Sequence, residues 1–157
     1  MDSILNKQIQ ITKNGLDSLG EELNGLKNEK RPKLVNRLAY ARSQGDLSEN
    51  SDYQNARDEL EFLDGRISEL EGVLKNAVVV RGGGKRTQVA FGTKVTLKTN
   101  GKKHVFEIVG EWEADPAEKK ISHTSPIGKA LIGKKVGDKA QVEAPAGKIT
   151  YQILSID

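Results

Sequence analysis

A chain of 157 residues that is 36% hydrophobic and 30% charged has the composition of a water-soluble protein of one domain or two small ones. With no cysteine and only two histidines it has no disulfide framework, thiolate nucleophile or thiolate zinc site, and little scope for imidazole chemistry. The net charge of +3 hides an asymmetry: residues 1–77 carry 11 Lys/Arg against 14 Asp/Glu, net −3, and residues 78–157 carry 14 against 8, net +6. A basic second half suits a polyanion or an acidic protein surface, although many globular domains carry as much charge and bind neither. The N-terminus lacks a basic segment followed by an apolar core, and no run approaches a spanning helix. A cytoplasmic protein with no membrane partner is expected.

Residues 1–11 read as an extended lead-in, with Gln8-Ile9-Gln10-Ile11 alternating. Thr12 then suits the N-cap of a long helix that Gly15 weakens only locally. Leu16, Leu19, Leu23 and Leu26 keep heptad spacing, and the apolar positions resume at Leu34, Leu38 and Ala41. The interval from Leu26 to Leu34 is a stutter, and Pro32 falls just inside it, so irregularity is expected near residues 28–32. An arm from Thr12 to Ser43 is about 45–50 Å long at helical rise. After a polar break, Tyr53, Ala56, Leu60, Leu63, Ile67, Leu70, Leu74 and Ala77 step by three and four. Two long helices joined by a tight turn make an antiparallel coiled-coil hairpin, with Gly65 and Gly72 outside its seam. The return helix begins near Ser51, where Ser51 and Gln54 match a capping box, with Ser48 or Asn50 as alternative caps.

Beyond Ala77 the period changes to two. Val78-Val79-Val80 is a β-branched run, and Arg81 to Arg86 reads as a linker whose glycines lack the Gly-Lys-Ser/Thr of a phosphate loop. Val95–Thr99, the turn Asn100-Gly101 and Val105–Val109 form a hairpin. Ile121-Ser122 suggests another strand, Pro126–Ile132 a short helix opened by proline, and Lys139–Val142 with Ile149–Ile156 a closing pair around Pro145-Ala146-Gly147. The fold class is α+β: a helical hairpin over residues 1–77 and a small, mostly β domain over 78–157.

The break between the arms, residues 45–53, holds the chemistry. Asp46 and Glu49 stand three positions apart at the far end of a rod, where the fold itself needs them least. In a polar turn such carboxylates are usually solvated, and they also favour a helix N-terminus. As hard oxygen donors they also suit Mg²⁺, but two carboxylates cannot complete its shell of six ligands. The missing ligands would come from whatever the tip touches.

Ile11-Thr12-Lys13-Asn14-Gly15-Leu16, Lys30-Arg31-Pro32, Ala41-Arg42, Gly45-Asp46-Leu47-Ser48-Glu49-Asn50 with Tyr53, and Gly65-Arg66-Ile67 resemble the N-terminal hairpin of the bacterial Gre transcript cleavage factors. Phe91-Gly92-Thr93, Ile108-Val109-Gly110, Ala114-Asp115-Pro116, Ser125-Pro126-Ile127-Gly128 through Lys135, and Val136-Gly137-Asp138 resemble that family's C-terminal domain. The likeness covers nearly the whole chain in order. It departs from the family at Asp52, where Glu is frequent, and at Pro145-Ala146-Gly147 in place of Pro-Gly-Gly.

The resemblance implies an FKBP-like C-terminal domain that docks at the rim of the secondary channel of RNA polymerase while the hairpin reaches in. It implies a protein that is no enzyme alone and binds no cofactor alone, with Asp46 and Glu49 helping to hold an Mg²⁺ shared with the polymerase as it hydrolyses backtracked RNA. Arg42 and Arg57 match positions near the 3′ segment of the nascent RNA, and Ser125, Pro126 and Ile127 match the rim contact. Tyr53 reads as packing, and His104 and His123 receive no role. A seam satisfied within one hairpin leaves no need to dimerise, so a monomer is expected. Two alternatives stand beside this reading: a regulator that blocks the channel without promoting cleavage, and a folding helper using the FKBP-like domain. The Asp-x-x-Glu tip favours cleavage over blockage, and the few aromatics weigh against a prolyl isomerase pocket.

Overall fold

The computed structural model describes residues 8–81 and 87–157; the first seven residues and residues 82–86, most of the expected linker, lie outside them. These residues form two compact units, one of residues 16–76 and the other of residues 8–15 together with 77–157. Residues 8–15, read from sequence as part of the hairpin, therefore pack with the second unit.

The first unit is the helical hairpin. Its outgoing arm runs through α1 (Lys13–Gly25), a π-helical turn over Leu26–Lys30 and α2 (Arg31–Ser43), and its return arm is α3 (Ser51–Asn76). The stutter and Pro32 are resolved together by the π turn, in which the Arg31 N–H bonds the Leu26 carbonyl, an i→i−5 link. Widening the helix by one residue immediately before the proline absorbs the break in the heptad register. Leu34, Ala56, Leu63 and Ile67 form the buried seam, with Leu23, Leu26, Leu38 and Leu60 packed against it. Two seam assignments shift at the base: Val73 is buried where Leu74 is only half-buried, and Ala77 has left the helix for a strand.

Ion pairs lace the flanks of the seam. Arg31 grips Asp64 through Nε and Nη2 at 2.7 and 3.2 Å, Lys27 meets Glu71 at 2.8 Å, and Arg66 meets Glu22 at 3.0 Å. Arg37 bridges Asp52 and Glu59 on the opposite arm at 2.9 and 3.0 Å. Much of the charge run on the outgoing arm thus fixes the pairing of the two arms, and each exposed pair adds little energy by itself. The guanidinium of Arg31 holds the Asp64 carboxyl below its ordinary range, first by hydrogen bonding and then by charge.

The second unit begins with β1 (Ile9–Ile11), which pairs in parallel with β2 (Ala77–Val79), Ile9 facing Ala77. Thr12 caps α1 as expected, its Oγ1 accepting the Gly15 N–H at 3.0 Å. Glu113 clamps this segment: its carboxylate accepts the Thr12 N–H at 2.9 Å, the Gly110 N–H at 3.0 Å and the Thr12 hydroxyl. A side chain at Gly15 would collide with that carboxylate, so the glycine that looks like a weak point in a helix is required by its neighbour.

A five-stranded sheet follows, ordered β5-β4-β3-β7-β6 from β3 (Lys94–Thr99), β4 (Lys102–Val109), β5 (Lys120–Ser122), β6 (Lys139–Ala144) and β7 (Gly147–Ile156). Asn100 and Gly101, with φ of 50° and 77°, make the β3–β4 turn that the Asn-Gly pair predicts. The register of β3 against β7 slips between Thr96 and Leu97, a bulge that adds to the sheet's twist. The half-barrel wraps α4 (Pro126–Leu131), whose Leu131 is fully buried among Val95, Leu97, Ile108 and Ile153. Truncating this core residue, Leu131→Ala, is expected to destabilise the protein by about 2–5 kcal/mol in urea unfolding. Val105→Ala on the half-exposed face of β4 should change stability by no more than about 0.5 kcal/mol.

Candidate functional site at the hairpin tip

The tip is built from the way α2 stops and α3 starts. Gln44 closes α2 with its N–H on the Ala41 carbonyl at 3.2 Å, and Gly45 then turns the chain with φ of 147°. No neighbour crowds Gly45, so it is the backbone conformation that demands glycine there. Asp46 folds into an Asx turn: its Oδ1 accepts the Ser48 N–H at 3.0 Å and the Ser48 hydroxyl at 2.9 Å. The Glu49 N–H returns to the Asp46 carbonyl at 3.3 Å, so the two acidic residues belong to a single turn.

Asn50, one of the two alternative caps, opens α3 in place of the Ser51 capping box. Its Oδ1 accepts the Tyr53 N–H at 3.1 Å while its Nδ2 donates to the Ala41 carbonyl at 2.6 Å. One side chain therefore satisfies an orphan donor at the start of α3 and adds a second donor to the Ala41 carbonyl, which also accepts the Gln44 N–H. Gln54 adds a bond from Nε2 to the Ser48 carbonyl at 3.3 Å. The cross-arm role of Asn50 joins residues nine apart on two different helices, which no local spacing rule encodes. Tyr53 is half-buried behind the turn, in line with a packing role.

Both carboxylates are exposed. The Ser48 backbone N–H and then its hydroxyl hold the Asp46 carboxyl below the usual aspartate range. Only Oδ1 of Asp46 is engaged in those bonds, and Glu49 makes no side-chain hydrogen bond or ion pair among the described residues. Three oxygens at the tip are thus uncommitted. No group of three or more His, Asp or Glu among the described residues is arranged to hold a metal ion. The donor set fits a hard cation such as Mg²⁺ in type and falls short of it in number, so it can complete a shell but not form one.

Arg42 lies in the last turn of α2, exposed and without an ion pair among the described residues. Arg57, on the second turn of α3, makes only a loose contact with adjacent Asp58 at 3.4 Å. Both remain available for an anion at this end of the hairpin, whereas Arg37 on the same arm as Arg42 is spent on its two carboxylates. In the second unit, Ser125 caps α4: its Oγ accepts the Gly128 N–H at 3.1 Å and donates to the Ser122 carbonyl at 2.6 Å. Pro126 is exposed and Ile127 packs partly onto the core. His123 rests edge-on against Phe91, His104 stacks on Phe106, and Trp112 is half-buried in a short 3₁₀ turn.

Residues 9–79 match the family model described as transcription elongation factor, N-terminal, and residues 84–157 match that described as transcription elongation factor, GreA/GreB, C-term. The chain belongs to the GreA/GreB family of transcription elongation factors. Transcription elongation factor GreA of Bacillus anthracis (strain CDC 684 / NRRL 3495) is 44% identical over 153 residues, covering 96% of this chain and 97% of its own. GreA of Lactococcus lactis subsp. cremoris (strain SK11) is 45% identical over 156 residues, covering 98% of this chain and all of its own. Among solved structures, GreA factor homolog 1 (Gfh1) of Thermus thermophilus is 28% identical over 96% of this chain and 99% of its own, with a TM-score of 0.46. In this chain a helical hairpin precedes a mostly β half-barrel, and no helix among the described residues is long and apolar enough to cross a membrane.

The bonds from Ser48 predict that Asp46 titrates below ordinary aspartates. Carboxyl NMR of the free protein should show this directly. Ser48→Ala removes the hydroxyl bond and should move the Asp46 midpoint upward. Because a depressed carboxyl pKa stabilises the fold above its unfolded value and that contribution fades as pH falls through the folded value, any loss of tip order should appear only in acid. An Asp46 midpoint at the ordinary aspartate value, unmoved by Ser48→Ala, would contradict the Asx turn.

Proposed function

We propose that this elongation factor binds bacterial RNA polymerase, enters its secondary channel with the hairpin tip foremost, and stimulates the polymerase's own cleavage of backtracked nascent RNA. The observation that carries the reading is the pair of exposed carboxylates at the end of a stiff hairpin, with three uncommitted oxygens and too few ligands for an ion of their own. Asp46 and Glu49 serve as added oxygen ligands to a loosely held Mg²⁺ of the polymerase active centre. Such an ion supplies an activated water and stabilises charge on the leaving oxygen. The Asx turn keeps Asp46 ionised and presents its free oxygen, and Glu49, unbonded, can also orient or deprotonate the attacking water.

The rest of the chain serves reach and aim. The return arm extends about 40 Å at helical rise, and the cross-arm pairs keep the two arms in register. Arg42 and Arg57 bind the phosphates of the extruded RNA 3′ segment, an interaction that weakens with salt. The Ser125-Pro126-Ile127 helix start contacts the channel rim, its exposed proline held by the Ser125 cap. The factor acts as a monomer in the cytoplasm, is no enzyme by itself and carries no cofactor by itself. A regulator that only blocked the channel would have no use for two uncommitted carboxylates at its tip. A folding helper would need an open apolar cleft, and the inner face of the half-barrel is filled by Leu131 and Ile127.

Cleavage of labelled RNA in stalled complexes tests this reading. The wild-type chain should accelerate cleavage, and Asp46→Ala and Glu49→Ala should each reduce the stimulated rate by about 10–100-fold, the scale of lost ligand-shell interactions, while leaving polymerase affinity nearly unchanged. Wild-type stimulation by both variants would refute the metal-ligand role. Binding without any stimulation by the wild type would leave the blocking regulator, and faster refolding of substrates without polymerase would favour the folding helper.

A further inference from the structure

The five-stranded sheet of the second unit has an exposed outer face. Along β4, β3, β7 and β6 the inner positions, among them Val95, Leu97, Ala140 and Ile153, are buried, and the residues that alternate with them point outward. Strand register decides how charge is laid out there. In two places opposite charges stand across from each other: Lys94 faces Glu107 between β3 and β4, and Glu143 faces Lys148 between β6 and β7. Between those two places the pattern changes. Lys103 of β4 faces Lys98 of β3, Lys98 faces Gln152 of β7, and Gln152 faces Lys139 of β6.

One row across four strands therefore carries three lysines, a glutamine and no acid. Adjacent strands lie about 4.8 Å apart, so the row spans about 14 Å. All three lysines are exposed, and none makes a side-chain hydrogen bond or ion pair among the described residues. Like charges directly opposite on adjacent strands destabilise a sheet, so the Lys98–Lys103 pair is unfavourable where the Lys–Glu pairs used elsewhere on the same face are not.

We infer that this row binds duplex DNA through its phosphates, without regard to sequence. The unpaired lysines call for an anion, and the rest of the face says which kind. Protein interfaces are depleted in lysine and anchored on aromatic or apolar side chains, whereas Val105 is the one large apolar residue exposed on these four strands. Single-stranded nucleic acids are held by stacking bases on aromatic rings. Here His104, Phe106 and Tyr151 pair in register with the buried Leu97, Val95 and Ala140, on the inner face. What remains outside suits the backbone of a duplex: lysines as point charges on phosphate, with Thr96, Thr150 and Gln141 able to donate hydrogen bonds to its oxygens. Duplex DNA is the polyanion that transcription itself supplies. The inference concerns the second unit alone and does not rest on the tip chemistry proposed above.

Fluorescence anisotropy of the full chain with labelled duplexes of two unrelated sequences tests this. Both should bind alike, and affinity should fall about 40-fold between about 50 and 200 mM salt, the dependence for about three phosphate contacts. Lys98→Gln with Lys103→Gln should weaken binding at the lower salt and leave only about a fourfold fall over the same range. The melting temperature of that double variant should hold or rise, because a like-charge pair is relieved, a divergence from DNA binding that a purely structural role cannot produce. Lys148→Gln makes the same change in charge opposite Glu143 and should weaken binding much less than Lys103→Gln does. Equal losses from Lys148→Gln and Lys103→Gln would reduce the effect to net charge and overturn the row as a site. Failure of the wild type to bind duplex, or tighter binding to single-stranded DNA or to polyglutamate, would overturn duplex DNA as the occupant. The tip reading is tested by RNA cleavage and stands or falls separately.

Discussion

The side chain of Asn50 is the hinge pin of the molecule. Its two hydrogen bonds, one to the Ala41 carbonyl in the last turn of α2 and one from the first turn of α3, tie two helix ends into one tip. A helix terminus leaves orphan donors and acceptors, and at the end of a rod only water is available to satisfy them. Letting one amide satisfy both ends fixes where each helix stops and therefore where the intervening acids stand. Asp46 then folds on Ser48 within the space that remains, and Glu49 is left facing outward with no partner of its own. Asn50 and Gln54 satisfy backbone groups on either side of the turn, so that only Oδ1 of Asp46 is drawn into it.

Behind the tip, stiffness comes from division of labour along the arms. Leu34, Ala56, Leu63 and Ile67 give the apolar seam, and the pairs of Arg31, Arg37, Arg66 and Lys27 set the register on its flanks. The π turn at Leu26–Lys30 accommodates a proline without breaking the outgoing arm. In the second unit, Glu113 serves the segment ahead of α1 much as Asn50 serves the tip: one side chain gathers three donors from two parts of the chain. In both places a single polar side chain fixes a junction that apolar packing alone would leave loose.

Much of this was legible in the sequence, for definite reasons. Helical period is a local signal, so both arms, the interruption near Pro32 and the acidic break could be read from spacing. Asn100-Gly101 and Ser125-Pro126 encode their turn and helix start through φ and capping preferences that act within four residues. What escaped was non-local. The parallel pairing of Ile9–Ile11 with Ala77–Val79 depends on segments separated by the whole hairpin, so local spacing groups the lead-in with the hairpin although it packs in the second unit. Gly15 looked like a weak point because its collision partner, Glu113, lies far along the chain. Val73 displaced Leu74 in the seam and Ala77 left the helix because β2 takes over there, and heptad counting has no means of anticipating a strand. At the tip the acids were legible and the reason for their availability was not, since Asn50 reaches across to a carbonyl on the other arm.

The central claim is that the tip lends oxygen ligands to an ion it cannot hold by itself. Cleavage in stalled polymerase complexes, measured across a Mg²⁺ titration with and without the factor, tests that claim most directly. Donated ligands predict that the wild-type factor lowers the Mg²⁺ concentration giving half-maximal cleavage, and that Glu49→Ala returns it toward the value without factor. An unchanged Mg²⁺ midpoint, with stimulation expressed only in the maximal rate, would contradict it.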